Sequence, residues 1–311
     1  MFSRLALAAA AVVLTVAAAP PAQQTLDWSV SPAQTPGTVQ LMLEYRSASG
    51  RSMNSHPVAL ASLTGLSASD LNGPAGRPVS FVIRRDPGDL ACEGHAGQGK
   101  GAGGCVFRPN PAFPAALAKR GVGAPTADQQ FQMALHETSL AFVDELKAQR
   151  YPTPTPDELV RAAHHGVGLA QLAEFKGVGW RLPDLASLIR VRDHGVSAAY
   201  VRDLKSFGIP TRDPEAVVRL RDHGVSAAYI RELRAHGYAG LAAEELVRLR
   251  DHGVSPRFIG ELKALGYGGL AAEQLVRLRD HGVDARFIRR VNADGARRSV
   301  EELIRMRDRG A

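Results

Sequence analysis

The stretch VRLRDHGVSAAYIRELRAHGY, Val218–Tyr238, decides the fold, because it returns as VRLRDHGVSPRFIGELKALGY over Val247–Tyr267 and again from Val276 onward. The interval is 29 residues, and His136, His165, His194, His223, His252 and His281 keep it at every step. Self-similarity at a fixed period of this length marks a stacked-repeat architecture. Phe113 and Leu117 stand one period before Phe142 and Leu146, so the array is expected to occupy residues 110–311. Its last unit is one residue short, which puts Arg309 where a histidine is expected and marks a terminal cap.

Each unit reads as two short helices. The first opens after Ser139, Gly168, Ser197, Ser226, Ser255 or Asp284 and closes at Gly179, Gly208, Gly237, Gly266 or Gly295, matching the residue preferences of helix starts and left-handed helix ends. The second opens after Thr155, Asp184, Asp213 or Ser299, with Thr155/Glu158 and Ser299/Glu302 spaced as capping boxes, whereas Ala242 and Ala271 offer no capping oxygen. It closes at Gly166, Gly195, Gly224, Gly253, Gly282 or Gly310. Tyr229, Ile230 and Leu233 on one helix, and Leu246, Val247 and Leu249 on the other, give each unit an apolar face that only a neighbouring unit can cover. The expectation is an α-solenoid.

Upstream, residues 26–108 follow period two, as strands do. Val39, Leu41, Leu43 and Tyr45 share one face and Val79, Phe81 and Ile83 repeat the arrangement. The polar segment Ser47–Ser55 reads as a loop, Leu60, Leu63 and Leu66 fall at helical spacing, and Ser67 before Asp70 caps a short helix. Opposite residues of an antiparallel hairpin have a constant sum of positions, and both Leu90/Phe107 and Cys92/Cys105 share the sum 197. That register predicts a Cys92–Cys105 disulfide and a turn centred on Gln98 and Gly99. The fold class is therefore α+β: a small antiparallel β domain followed by two-helix repeats.

Residues 1–22 have the parts of a secretory signal: Arg4, an uncharged run from Leu5 to Ala19, and small residues at Ala17, Ala18 and Ala19. The run is shorter than the roughly 20 residues a membrane-spanning helix needs, so cleavage is expected rather than anchoring, with the protein periplasmic or secreted. Among the 311 residues are 38 basic and 31 acidic ones, a net charge of +7 that suggests an anionic partner if the bases cluster. They do not: residues 131–311 hold 28 basic and 24 acidic side chains in alternation. Export and this interleaving argue against nucleic acid as a partner.

The histidine ladder does not read as a metal site, since stacked helices lie ~8–10 Å apart and zinc takes ligands at ~2 Å. Each histidine precedes a helix-ending glycine, where its ring is expected to bond free carbonyls, marking His136, His165, His194, His223, His252 and His281 as structural. HETSL at 136–140 lacks the second histidine of a zincin helix, and GQGKGAGG at 97–104 leads into a strand rather than the helix a phosphate loop requires. No catalytic residue, metal ligand or cofactor is assigned. The paired arginines, each followed by an aspartate, are expected to pair with these aspartates within and between repeats. The second of each pair (Arg192, Arg221, Arg250, Arg279 and Arg307) forms a candidate stripe for carboxylates on a partner.

The signature RxRDHGVSxxYIRELxxxGY, together with the upstream CEG and GAG of the hairpin, resembles the extracytoplasmic C-terminal region of some BlaR-like antirepressor membrane metallopeptidases and of related stand-alone secreted bacterial proteins. The resemblance runs from about residue 38 to the end. The HExxH peptidase domain and membrane helices of that family are absent here, so the resemblance carries over no catalytic residue. It implies an accessory or sensory module that contacts another envelope or membrane protein, without spanning the membrane itself. The alternative is an envelope hydrolase or polymer-binding enzyme with a site between the β domain and the first helices, near Glu93, His95 and His136.

Overall fold

The structure, a computed structural model, describes residues 24–47 and 50–310, so the expected export signal lies outside the described residues. The chain is α+β and divides into two compact units, one of residues up to Arg84 with Leu90–Arg108, the other of Arg85–Asp89 with the chain from Pro109. The short segment Arg85–Asp89 thus groups with the helices although it interrupts the β-rich stretch. Among the described residues no helix is long and apolar enough to cross a membrane.

The first unit is a seven-stranded antiparallel sheet in the order β3-β2-β1-β7-β6-β5-β4. Its strands are β1 (Thr25–Pro32), β2 (Thr38–Ser47), β3 (Gly50–Ala59), β4 (Leu63–Thr64), β5 (Arg77–Ile83), β6 (Gly88–Gly97) and β7 (Lys100–Pro109). Alternation puts Leu26, Trp28, Val30, Val39, Leu41, Leu43, Phe81, Ile83, Leu90, Cys92, Cys105 and Phe107 on the buried side. Two expectations fail. The stretch read as a polar loop is mostly β3, which pairs with β2 from Ser47↔Gly50 to Thr38↔Ala59. Its side chains alternate between exposed and half-buried, so backbone bonding to β2 holds it rather than an apolar face. Leu60, Leu63 and Leu66 form no α-helix: a 3-10 turn at Leu60–Ser62 leads into β4, and α1 (Ala68–Asn72) begins only after Ser67, in a capping box with Asp70.

Cys92 and Cys105 are joined, with Cα atoms 4.0 Å apart. The hairpin turns at Gln98 and Gly99, whose φ values of 53° and 81° are the positive pair that a tight primed turn needs. Breaking the bridge by Cys105→Ser is expected to destabilise this unit by about 3 kcal/mol on the chain-entropy estimate for a loop of this length. Denaturant melting of the β unit with and without reductant checks this, and an unchanged midpoint would contradict it.

The second unit starts with α2 (Phe113–Ala118) and α3 (Ala127–Leu135) and continues through paired helices. One row holds α5 (Pro156–His164), α7 (Leu185–Asp193), α9 (Pro214–Asp222), α11 (Ala243–Asp251), α13 (Ala272–Asp280) and α15 (Val300–Asp308). The other holds α4 (Leu140–Ala148), α6 (Leu169–Gly177), α8 (Ala198–Ser206), α10 (Ala227–Ala235), α12 (Pro256–Ala264) and α14 (Ala285–Val291). Contacts run within each row to the next member, as from α5 to α7 and from α10 to α12. The apolar faces merge into one continuous core from Phe113 to Ile304.

Local chemistry explains the helix boundaries. Ser197 and Ser226 accept from the amides of Tyr200 and Tyr229, and Thr155 and Ser299 complete capping boxes with Glu158 and Glu302. At Ala242 only half of such a box forms, with Glu245 accepting from the Ala242 amide. At the other end Gly224, at φ 68°, donates to the Arg221 carbonyl and Val225 donates back to Leu220, a Schellman closure.

Candidate interaction surface

The repeated polar side chains are spent largely on the next repeat. His165, His194, His223, His252 and His281 place Nδ1 2.7, 2.8, 2.7, 2.6 and 2.8 Å from carboxylates of Asp193, Asp222, Asp251, Asp280 and Asp308. This corrects the expectation that the rings bond helix-end carbonyls. The carboxylate arrives from the next helix of the same row, and the carbonyls are already closed by the glycine turn. The expected pairing of these aspartates with arginines is corrected as well. The first arginine of four of the five pairs reaches a glutamate of the following helix instead: Arg190 to Glu215, Arg219 to Glu244 at 3.0 Å, Arg248 to Glu273 at 2.6 Å and Arg277 to Glu301 at 2.5 Å. Arg190 and Arg277 hold the carboxyls of Glu215 and Glu301 below the usual range by hydrogen bonding. Exposed pairs of this kind contribute ~0–1 kcal/mol each.

The second arginines are held differently. Arg221, Arg250, Arg279 and Arg307 lie over the rings of Tyr200, Tyr229, Phe258 and Phe287, with guanidinium carbons 5.6, 5.2, 5.1 and 5.3 Å from the centroids. Each also lies beside the helix-ending glycine of the preceding repeat. A Cβ at Gly195, Gly224, Gly253 or Gly282 would stand 3.4–3.8 Å from the guanidinium, an ordinary van der Waals contact, so it is the positive φ that calls for glycine there. The two tyrosines are anchored in turn, donating from Oη to the carbonyls of Val225 and Val254 at 2.7 Å, and burial pushes both phenols up to about 12. All four arginines are nevertheless exposed residues. Arg192 packs on Gly166 but has no ring, because buried Gln171 occupies the aromatic position of its repeat.

The first rung departs from the pattern. His136 faces His164, which stands where later repeats have aspartate, with ring centroids 4.5 Å apart. Glu137, at φ 63°, takes the place of the glycine, and Thr138 that of the buried valine. Arg85, buried, donates to the carbonyls of Ala134 and Leu135 and to Glu137. His136 Nε2 is buried without a hydrogen-bond partner, and desolvation, with the neighbouring His164 and Arg85, pushes the ring down to about 4. The unfolded chain therefore takes up this proton first as pH falls below about 6.5. The sign follows: stability is intact above that value and declines as pH drops toward 4. Between about pH 7 and pH 4.5 the parent is expected to lose about 2 kcal/mol more than His136→Asn in paired denaturant titrations, a figure reduced for the ring's partial exposure. Equal losses would exclude His136 as the source.

Glu93 and His95, the other sequence candidates, lie on β6 and line a depression of about 620 Å³ with Val79 and Ser80. His136 belongs to the helical unit. Among the described residues no group of three or more His, Cys, Asp or Glu side chains could hold a metal ion. Neither the aromatic partners of the arginines nor the aspartate partners of the histidines were named by sequence reasoning, although a 29-residue offset table of Tyr200, Tyr229, Phe258 and Phe287 carries the signal. No family model, curated protein or solved structure matches this chain.

Proposed function

We propose that the chain is a noncatalytic, exported interaction module that serves another envelope or membrane protein in an accessory or sensory role, as the BlaR-like resemblance implies. The observation that carries this reading is the row of exposed arginines, each lying over a ring and close to a helix-ending glycine. An arginine fork held in one orientation loses little freedom on meeting a carboxylate, which suits recognition more than stability. The acids that could quench the row by contact are engaged elsewhere, the aspartates by histidines and the glutamates by the first arginines. Crosslinking the purified chain to its native envelope tests the proposal. A defined protein partner is expected, and recovery of no specific partner would overturn it.

A further inference from the structure

We infer that the slots of Arg221, Arg250, Arg279 and Arg307 form a docking strip for an extended acidic peptide in polyproline-II form, with a carboxylate at every third residue. This rests on the interaction reading above and supplies the partner's chemistry.

Three features converge on it. The first is geometry: the slots recur once per repeat, and helices stacked in a row pack at ~8–10 Å. A polyproline-II chain has three residues per turn and rises ~3.1 Å per residue, so every third side chain returns to the same side after ~9.3 Å. A β-strand returns after two residues, or ~6.6 Å, and falls out of step within two repeats. The second is charge. Residues 131–311 contain 28 basic and 24 acidic side chains, an excess of only four over the whole array, so general attraction for anions is weak and selectivity must come from where the guanidiniums stand. The third is valency. Four similar sites recurring once per repeat reward a ligand with matching period far more than one with the same charge in a block. An α-helix with acids seven residues apart also advances ~10.5 Å. Its facing residues drift around the axis by ~20° per heptad, whereas the polyproline-II side chains keep one face and the chain carries little ordering cost.

The test uses the full chain and three fluorescent peptides of equal composition, read by anisotropy. One carries four glutamates at every third position on a proline-rich background, one carries them in a block, and one places them seven apart in a helix-forming background. The every-third peptide is expected to bind on the order of tenfold more tightly than the other two. Arg250→Gln should weaken it on the order of tenfold, with Arg250→Lys in between because it keeps the charge without the fork. Arg248→Gln, which removes only the bridge to Glu273, should leave affinity unchanged. Circular dichroism of each variant confirms the fold. Equal binding of the three peptides, tighter binding of the helical one, or no binding overturns the inference. Capture of an envelope protein whose crosslinks avoid the strip overturns it too, while leaving the interaction reading intact.

Discussion

Leu249→Ala is expected to destabilise the helical array by about 3–5 kcal/mol and to split its unfolding into two steps. Leu249 lies in the last turn of α11 with no exposed surface, within the core that runs from Phe113 to Ile304. Truncation there removes apolar transfer energy and opens a cavity, because the flanking helices are fixed by their own neighbours and relax little. In a stacked array each unit touches only the next, so stability is nearly a sum of unit and interface terms. A weak interface in the middle therefore decouples the two sides. Hydrogen exchange should show the amides of α12 to α15 opening before those of α3 to α7. A single transition that shifts without dividing would contradict the nearest-neighbour picture.

The ladders on the surface do a different job. The histidine–aspartate rungs have side chains roughly one-third to one-half exposed, a setting in which such contacts contribute ~0–1 kcal/mol. They repeat where the core repeats and help fix the register of one unit on the next. Stability resides in Leu220, Leu249, Leu278 and their buried neighbours, so the polar positions are free to vary with function. Arg192 and Gln171 illustrate this: the ring is lost from the slot, yet the helices around it keep their boundaries.

What was legible in the sequence was what is local. Capping serines, closing glycines and the apolar faces each act within one turn of chain, so Ser226, Gly237 and Leu233 announce their roles directly. The cysteine register was legible for the same reason, since a hairpin fixes its pairs by counting from the turn. The histidine partners were not, because the carboxylate lies 28 residues away and competes with nearer carbonyls that only the structure shows to be occupied. The edge strand β3 was missed because pairing with β2, not hydrophobicity, makes it a strand. The glycine run after Cys92 was legible as a turn centred on Gln98 and Gly99, and that reading covers only its tip.

Gly103→Ala tests the rest of that run and is expected to unfold much of the β unit. Gly103 pairs with Trp28 across β1 and β7, on the buried side. A Cβ there would lie 2.0 Å from the Glu93 carbonyl oxygen, 2.6 Å from the Gly94 Cα and 2.8 Å from Trp28 Nε1. Backbone atoms cannot step aside as a flexible side chain would, so either β6 parts from β7 or the indole leaves its place. The indole is 2% exposed, packs edge-on against Phe81 at 4.8 Å and donates to the Glu93 carbonyl at 3.0 Å. Dislodging a large buried aromatic costs about 3–5 kcal/mol, a large share of the ~5–15 kcal/mol that holds a domain together. Gly104→Ala is the matched control, because a Cβ there has only the Leu26 carbonyl oxygen within reach, at 3.9 Å. If glycine served this hairpin through flexibility, the two substitutions would cost about the same. If it serves by letting strand and indole close on each other, amide protection of β1, β6 and β7 collapses in Gly103→Ala and persists in Gly104→Ala.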